Sequence, residues 1–176
     1  MKRNAATRAR RIRLMIFDVD GVMTDGRLWY GPDGEQVKAF NTLDGHGLKL
    51  LAASGVEAAI LSGRSSRALD RRAADLGIRH VLTGIEDKRA GLQDLLGRAG
   101  LDAAAVGYMG DDIVDLPAMR RCGFACAPAG AHSLVRKYSH FVARAPGGNG
   151  AVREVCEFVM RAQGKLAGAF APYLKP

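Results

Sequence analysis

Three apolar runs in this chain end in chemically loaded residues, and that recurrence constrains the fold more than any other feature. Residues 13–19 (RLMIFDV) lead into Asp18-Val19-Asp20-Gly21. Residues 56–61 (VEAAIL) end at Ser62-Gly63-Arg64, and Val106–Met109 (VGYM) runs into Gly110-Asp111-Asp112. Short apolar runs of this kind read as buried strands. Helical patterns lie between them at 46–53, Arg67–Leu76, 87–99, 116–122 and 151–163, with Gly55, Gly77 and Gly100 where helices would stop. Phe124–Ala127 and 140–142 are weaker strand candidates. The alternation predicts an α/β fold, a parallel sheet covered by helices on both faces. In such sheets ligands sit outside the carboxyl ends of the strands, where all three clusters fall. Residues 27–40 (RLWYGPDGEQVKAF) break the pattern. GPDG is strong turn chemistry, so this stretch is expected to be a β-hairpin projecting from the catalytic edge. Its Trp29 and Tyr30 suit either packing or an interface.

A chain of 176 residues fits one domain. Six of its 26 basic residues fall among the first 13, where there is no acid, leaving 20 basic against 18 acidic residues beyond them. The net charge of +8 therefore belongs mainly to the N-terminus. We expect a basic mobile tail at 1–12, one domain at 13–163 and a C-terminal tail at 164–176. The near-neutral body and the lack of aromatics in the basic stretch argue against a nucleic-acid partner. No apolar run approaches the roughly 20 residues that cross a bilayer, and no secretory signal is visible. Cys122, Cys126 and Cys156 lack CxxC spacing and read as small core residues of a cytoplasmic protein.

Asp18 and Asp20, two apart at a strand end, point to the same side. Close carboxylates need a cation or a shared proton, and Mg²⁺ is the natural partner. Ser62, Gly63 and the helix start beyond them form an anion site. Lys88 sits in a helix's first turn, where a cation opposes the dipole, a local conflict that hints at function. Asp111, Asp112 and Asp115 complete a metal site begun by Asp18; helix N-capping explains one such acid but three poorly.

DVDGVMTDG, SGR, Lys88 and GDDIVD resemble, in order, the four motifs of the haloacid dehalogenase-like (HAD) phosphatases. TDG, VKAFNTLDGHGL, RRAADLGI and GGNGAVREVCEFVMRAQGKL narrow the resemblance to the branch acting on 3-deoxy-D-manno-octulosonate 8-phosphate (Kdo 8-phosphate). It runs from about residue 13 to 166; Ser62 stands where that branch usually has Thr, and a hydroxyl is kept. The resemblance implies a Rossmann-like three-layer sheet and a cytoplasmic, Mg²⁺-dependent phosphatase of lipopolysaccharide precursor synthesis, working through an aspartyl-phosphate. Asp18 would be the nucleophile and Asp20 the general acid and base. Asp18, the Asp20 carbonyl and Asp111 would hold the metal, supported by Asp112 and Asp115. Ser62, Gly63 and Lys88 would bind phosphate; Asn41, Thr42, Leu43, Asp44, Gly45, Lys49, Arg64 and Arg72 would contact the sugar acid.

The intervals between the motifs leave no room for a cap domain, so the fold is expected to be cap-less. The resemblance implies a homotetramer built around the hairpins, with the 147–150 glycine loop and the C-terminal tail as candidates to reach a neighbour's site. Relatives acting on other nonulosonates, such as sialic-acid-type 9-phosphates, tend to carry Glu at the position of Arg64. A noncatalytic phospho-ligand or nucleic-acid-binding module is a further alternative, against which the intact Asp18 and Asp20 argue.

Overall fold

The computed structural model describes residues 4–32 and 34–175. Six parallel strands form one sheet: β1 (Leu14–Phe17), β4 (Glu57–Leu61), β5 (His80–Leu82), β6 (Val106–Met109), β7 (Phe124–Ala127) and β8 (Phe141–Val142). Their order is β5-β4-β1-β6-β7-β8. The central β1 pairs with β4 from Leu14↔Glu57 and with β6 from Leu14↔Val106. Two strands, β2 (Trp29–Gly31) and β3 (Gly34–Val37), make a separate antiparallel hairpin. Asp33 of its turn lies outside the described residues.

The period-2 geometry of β1 divides the core. Met15 and Phe17 join one apolar cluster, with Leu51, Val155 and Val159 of helices α2 (Thr42–Ala53) and α7 (Ala151–Ala162). Leu14 and Ile16 join the other, with Leu92 and Leu95 of α4 (Lys88–Ala99) and Val135 of α6 (Ser133–Tyr138). Helix α3 (Arg67–Leu76) adds Leu69 and Ala73 to the first cluster, and α5 (Leu116–Met119) adds Ala118 and Met119 to the second. Helices thus cover both faces of a buried sheet, in three layers. Gly77 and Gly100 end α3 and α4 in the left-handed conformation, at φ 69° and 61°.

Both termini differ from expectation. Residues Asn4–Ala9 form helix α1, whose Ala5 and Ala9 are fully buried. The Gln163 side-chain amide donates to the carbonyls of Ala9 and Ile12, and Arg8 Nη1 donates to that of Gly123. Ala5 and Ala9, one helical turn apart, face the core while Arg10 and Arg11 stay exposed, so residues 4–12 are not a free tail. Lys2 and Arg3 lie outside the described residues. At the other end, α8 (Leu166–Phe170) and a 3₁₀ turn at Ala171–Tyr173 fold onto their own chain. Leu166 and Phe170 pack on the first cluster, and the Tyr173 ring meets His46 edge-on at 5.4 Å. Pro176 lies outside the described residues.

Candidate active site

The site is built at the end of β1. Asp18 N–H donates to the Met109 carbonyl, which fixes the nucleophile candidate beside β6. Asp18 Oδ1 accepts from Val19 N–H at 2.7 Å and from Lys88 Nζ at 2.9 Å. Lys88, the first residue of α4, is buried; Nζ also donates to the Leu61 carbonyl at 2.7 Å and lies 3.4 Å from Asp115 Oδ1. Two carboxylates and a carbonyl offset the unfavourable placement at a helix N-terminus.

Asp115 is fully buried. It accepts from Tyr108 Oη at 2.9 Å and from the N–H groups of Asp111 and Asp112. Oxygens of Asp18, Asp111 and Asp115 lie within 4.8 Å of one another. Burial, and next the charge of Asp115, push the Asp18 carboxyl up to about 6 despite Lys88. The same two causes, joined by Asp18 and Asp112, push Asp111 to about 7. Crowded, desolvated carboxylates of this kind fit a hard divalent cation with oxygen ligands, Mg²⁺ above all. The space is tight: a Cβ on Gly21 would overlap the Asp111 carboxylate.

Asp20 lines the same cavity of about 330 Å³, together with Ser62, Gly63, Arg64 and Lys88. Its carboxylate, however, is not part of the acidic cluster. Oδ1 is paired with Lys38 Nζ, and Oδ2 lies 3.8 Å from Arg64 Nε. The Lys38 side chain is only 1 % exposed, and this residue was missed in the sequence. Arg64 Nη1 also donates to Tyr30 Oη of the hairpin at 3.2 Å. Ser62 is buried, and its Oγ accepts from Arg64 N–H. Asp112 borders the cavity but caps the 3₁₀ turn Ile113–Asp115, accepting from Ile113 N–H at 2.7 Å. One of the three acids is therefore a helix cap.

Asn41, Thr42, Leu43, Asp44, Gly45, Lys49 and Arg72 do not line this cavity. Asn41 caps α2, accepting from Leu43 N–H at 2.8 Å, which starts that helix four residues earlier than its apolar pattern does. Asp44 is buried and accepts from Gly150 N–H and Arg153 N–H, tying α2 to the start of α7. Arg72 Nη2 donates to the Asn41 carbonyl, close against Gly45. The glycine loop, a candidate to reach a neighbour's site, makes contacts within its own chain. Gly148 N–H donates to the Val22 carbonyl, and Gly147 and Gly148 abut the backbone of Gly21, Thr24 and Asp25. A larger cavity of about 620 Å³ near α1, α7 and β8 contains none of these acids.

No family model matches the chain. The 3-deoxy-D-manno-octulosonate 8-phosphate phosphatase KdsC of Yersinia pestis is 46% identical over 162 residues, 92% of this chain and 87% of that protein. A probable YrbI family phosphatase from Pseudomonas syringae superposes with a TM-score of 0.95 at 49% identity, over 98% of each chain. The 3-deoxy-D-manno-octulosonate 8-phosphate phosphatase of Moraxella catarrhalis, solved with a magnesium ion, a phosphate ion and a Kdo molecule, gives 0.94 at 39% identity, over 98% of this chain and 99% of that one.

Proposed function

The chain belongs to the Kdo 8-phosphate phosphatase family of HAD enzymes, and from that membership we propose that it hydrolyses Kdo 8-phosphate to Kdo and inorganic phosphate. One observation carries the reading: Asp18 ends the central strand with Lys88 Nζ 2.9 Å away and two further buried or half-buried carboxylates beside it, at the floor of an open cavity.

In this reading Asp18 attacks phosphorus and forms an aspartyl-phosphate. Ser62, the Gly63 backbone and Lys88 bind the phosphoryl oxygens, and Lys88 offsets charge beside the nucleophile. Asp20 gives its proton to the departing sugar oxygen and later takes one from the water that cleaves the intermediate. Asp18, Asp111 and the Asp20 carbonyl would hold Mg²⁺, which would neutralise charge and align the phosphate. Asp115 orients Asp111 through its backbone amide and pairs with Lys88 Nζ at 3.4 Å, and Asp112 supports that turn.

Arg64 faces the substrate's carboxylate. Thr42, Leu43 and Lys49 are exposed at the start and outer side of α2 and belong to a sugar-acid surface completed by assembly; Asn41, Asp44, Gly45 and Arg72 shape that loop. The assembly is a homotetramer, a reading supported by the exposed Trp29, Tyr30 and Val37 of the hairpin. A cytoplasmic setting is supported by three free, buried cysteines. Among the described residues no helix is long and apolar enough to cross a membrane.

Phosphate release from a panel of sugar phosphates, with and without Mg²⁺, tests the proposal. Turnover should favour Kdo 8-phosphate, require the metal and vanish in a folded Asp18→Asn variant. Wild-type release by that variant would refute the covalent mechanism.

A further inference from the structure

To carry a proton to one sugar oxygen, the Asp20 carboxylate must be held in one orientation. We propose that Lys38 is a positioning residue that holds Asp20 Oδ1, so that Oδ2, the oxygen on the Arg64 side, carries the proton to the departing sugar oxygen. The inference rests on the proposed phosphatase reaction and adds a residue and an atom to it.

Three observations support it. Lys38 follows β3 directly and its side chain is buried, although Lys on a two-stranded hairpin ordinarily points to water. Its Nζ is paired with Oδ1 of Asp20, whose own side chain is 23% exposed and opens on the cavity. The second oxygen faces Arg64 Nε at 3.8 Å, too long for a direct hydrogen bond. One oxygen is thus held from the hairpin, and the other is left on the side where Arg64 meets the substrate.

A carboxylate so held cannot spin about its terminal bond without leaving its cation. During the first step the P–O bond breaks, its electron pair goes to the sugar oxygen, and the proton passes from Oδ2 to that oxygen. In the second step Oδ2 takes a proton from water as the hydroxyl attacks phosphorus, and the bond from phosphorus to Asp18 breaks, its electron pair returning to the carboxylate. Lys38 does not line the cavity, and in this assignment it acts through Asp20. The hairpin therefore has a chemical task besides offering a surface: it delivers the cation that orients the acid.

The test separates leaving groups. A sugar alkoxide is a poor leaving group and needs the proton; a 4-nitrophenolate leaves without it. The second-order constant kcat/KM reports the steps through departure of the leaving group. Lys38→Met, of similar length and uncharged, should lower kcat/KM for Kdo 8-phosphate about 10- to 100-fold, part of the 10²–10⁴ that a positioned acid contributes. For 4-nitrophenyl phosphate the fall should be at least fivefold smaller. Lys38→Arg keeps the charge but displaces Asp20, and should show the same split; it serves if the Met variant unfolds on thermal melting. Equal losses on both substrates, or no loss on either, would overturn the assignment while leaving wild-type phosphatase activity intact. A wild-type protein that releases no phosphate from Kdo 8-phosphate would remove the functional reading and this inference together.

Discussion

Burial lifts the Asp18 carboxyl to about 6 and that of Asp111 to about 7, from an ordinary value of 3.8 for Asp18 and for Asp111 alike. A carboxyl raised on folding binds more protons in the folded state than in the unfolded one. Its contribution to stability is therefore full below about pH 4 and is lost as pH rises through about 6 to 7. A cation bound among the same oxygens cancels the repulsion. Thermal melts in EDTA should accordingly fall between pH 5 and pH 8, and the rise produced by Mg²⁺ should be larger at pH 8 than at pH 5. A metal-induced shift independent of pH would contradict this. Arg64, beside Asp20 and hydrogen-bonded to Tyr30, is the cavity's exposed cation. Arg64→Glu should lower kcat/KM for Kdo 8-phosphate far more than for an aryl phosphate. Loss of one charge-assisted contact costs about 1.5–3 kcal/mol, and reversal should cost more; equal losses would assign Arg64 to the phosphate. At this scale the acids were legible, because DVDG and GDD sit at strand ends. Lys38 was not. A lysine in a hairpin reads as a solvated charge, and its burial arises only when the hairpin returns to Asp20.

Two elements brace the catalytic loop. The glycines at 147 and 148 lie so close to Gly21 and Thr24 that any Cβ must displace backbone. Gly147→Ala should destabilise by about 1–3 kcal/mol, the usual cost of overpacking, and lower turnover more than it raises KM; urea unfolding and steady-state kinetics would check both. Asp44→Ala removes the acceptor for two amides at the start of α7. A lost cap costs about 1–2 kcal/mol, readable in the same unfolding series. The longer elements were legible because their apolar residues are periodic: Arg67–Leu76 and Val106–Met109 match the structure residue for residue. β5 went unnoticed because three residues, two of them only half-buried, hold no period. α6 was missed for the same reason, with one fully buried residue in six.

The chain's two ends are seated on the same half of the molecule, α1 and α8 both packing with α7 against the first apolar cluster. Truncation after Gln163 removes Leu166, Ala169 and Phe170 from that cluster and should lower stability by about 1–3 kcal/mol, since each is only half-buried; chemical denaturation of the truncated and full chains would measure it. Sedimentation should give a homotetramer, and a fully active monomer would remove the assembly-completed sugar site. The parallel architecture was foreseeable from the strand-helix rhythm, whereas the docking of the termini depends on pairings across the whole chain, such as Gln163 with Ala9. The position of β1 has a consequence for biosynthesis. Its partners on either side begin at Glu57 and Val106, so the first strand made must wait for most of the chain before both its edges are satisfied. Such non-local pairing slows folding. Until then β1 carries only the acids of its own loop, Asp18 and Asp20. Asp111 joins Asp18 only when β6 docks, so the acidic cluster is a product of long-range folding and not of the loop that follows β1.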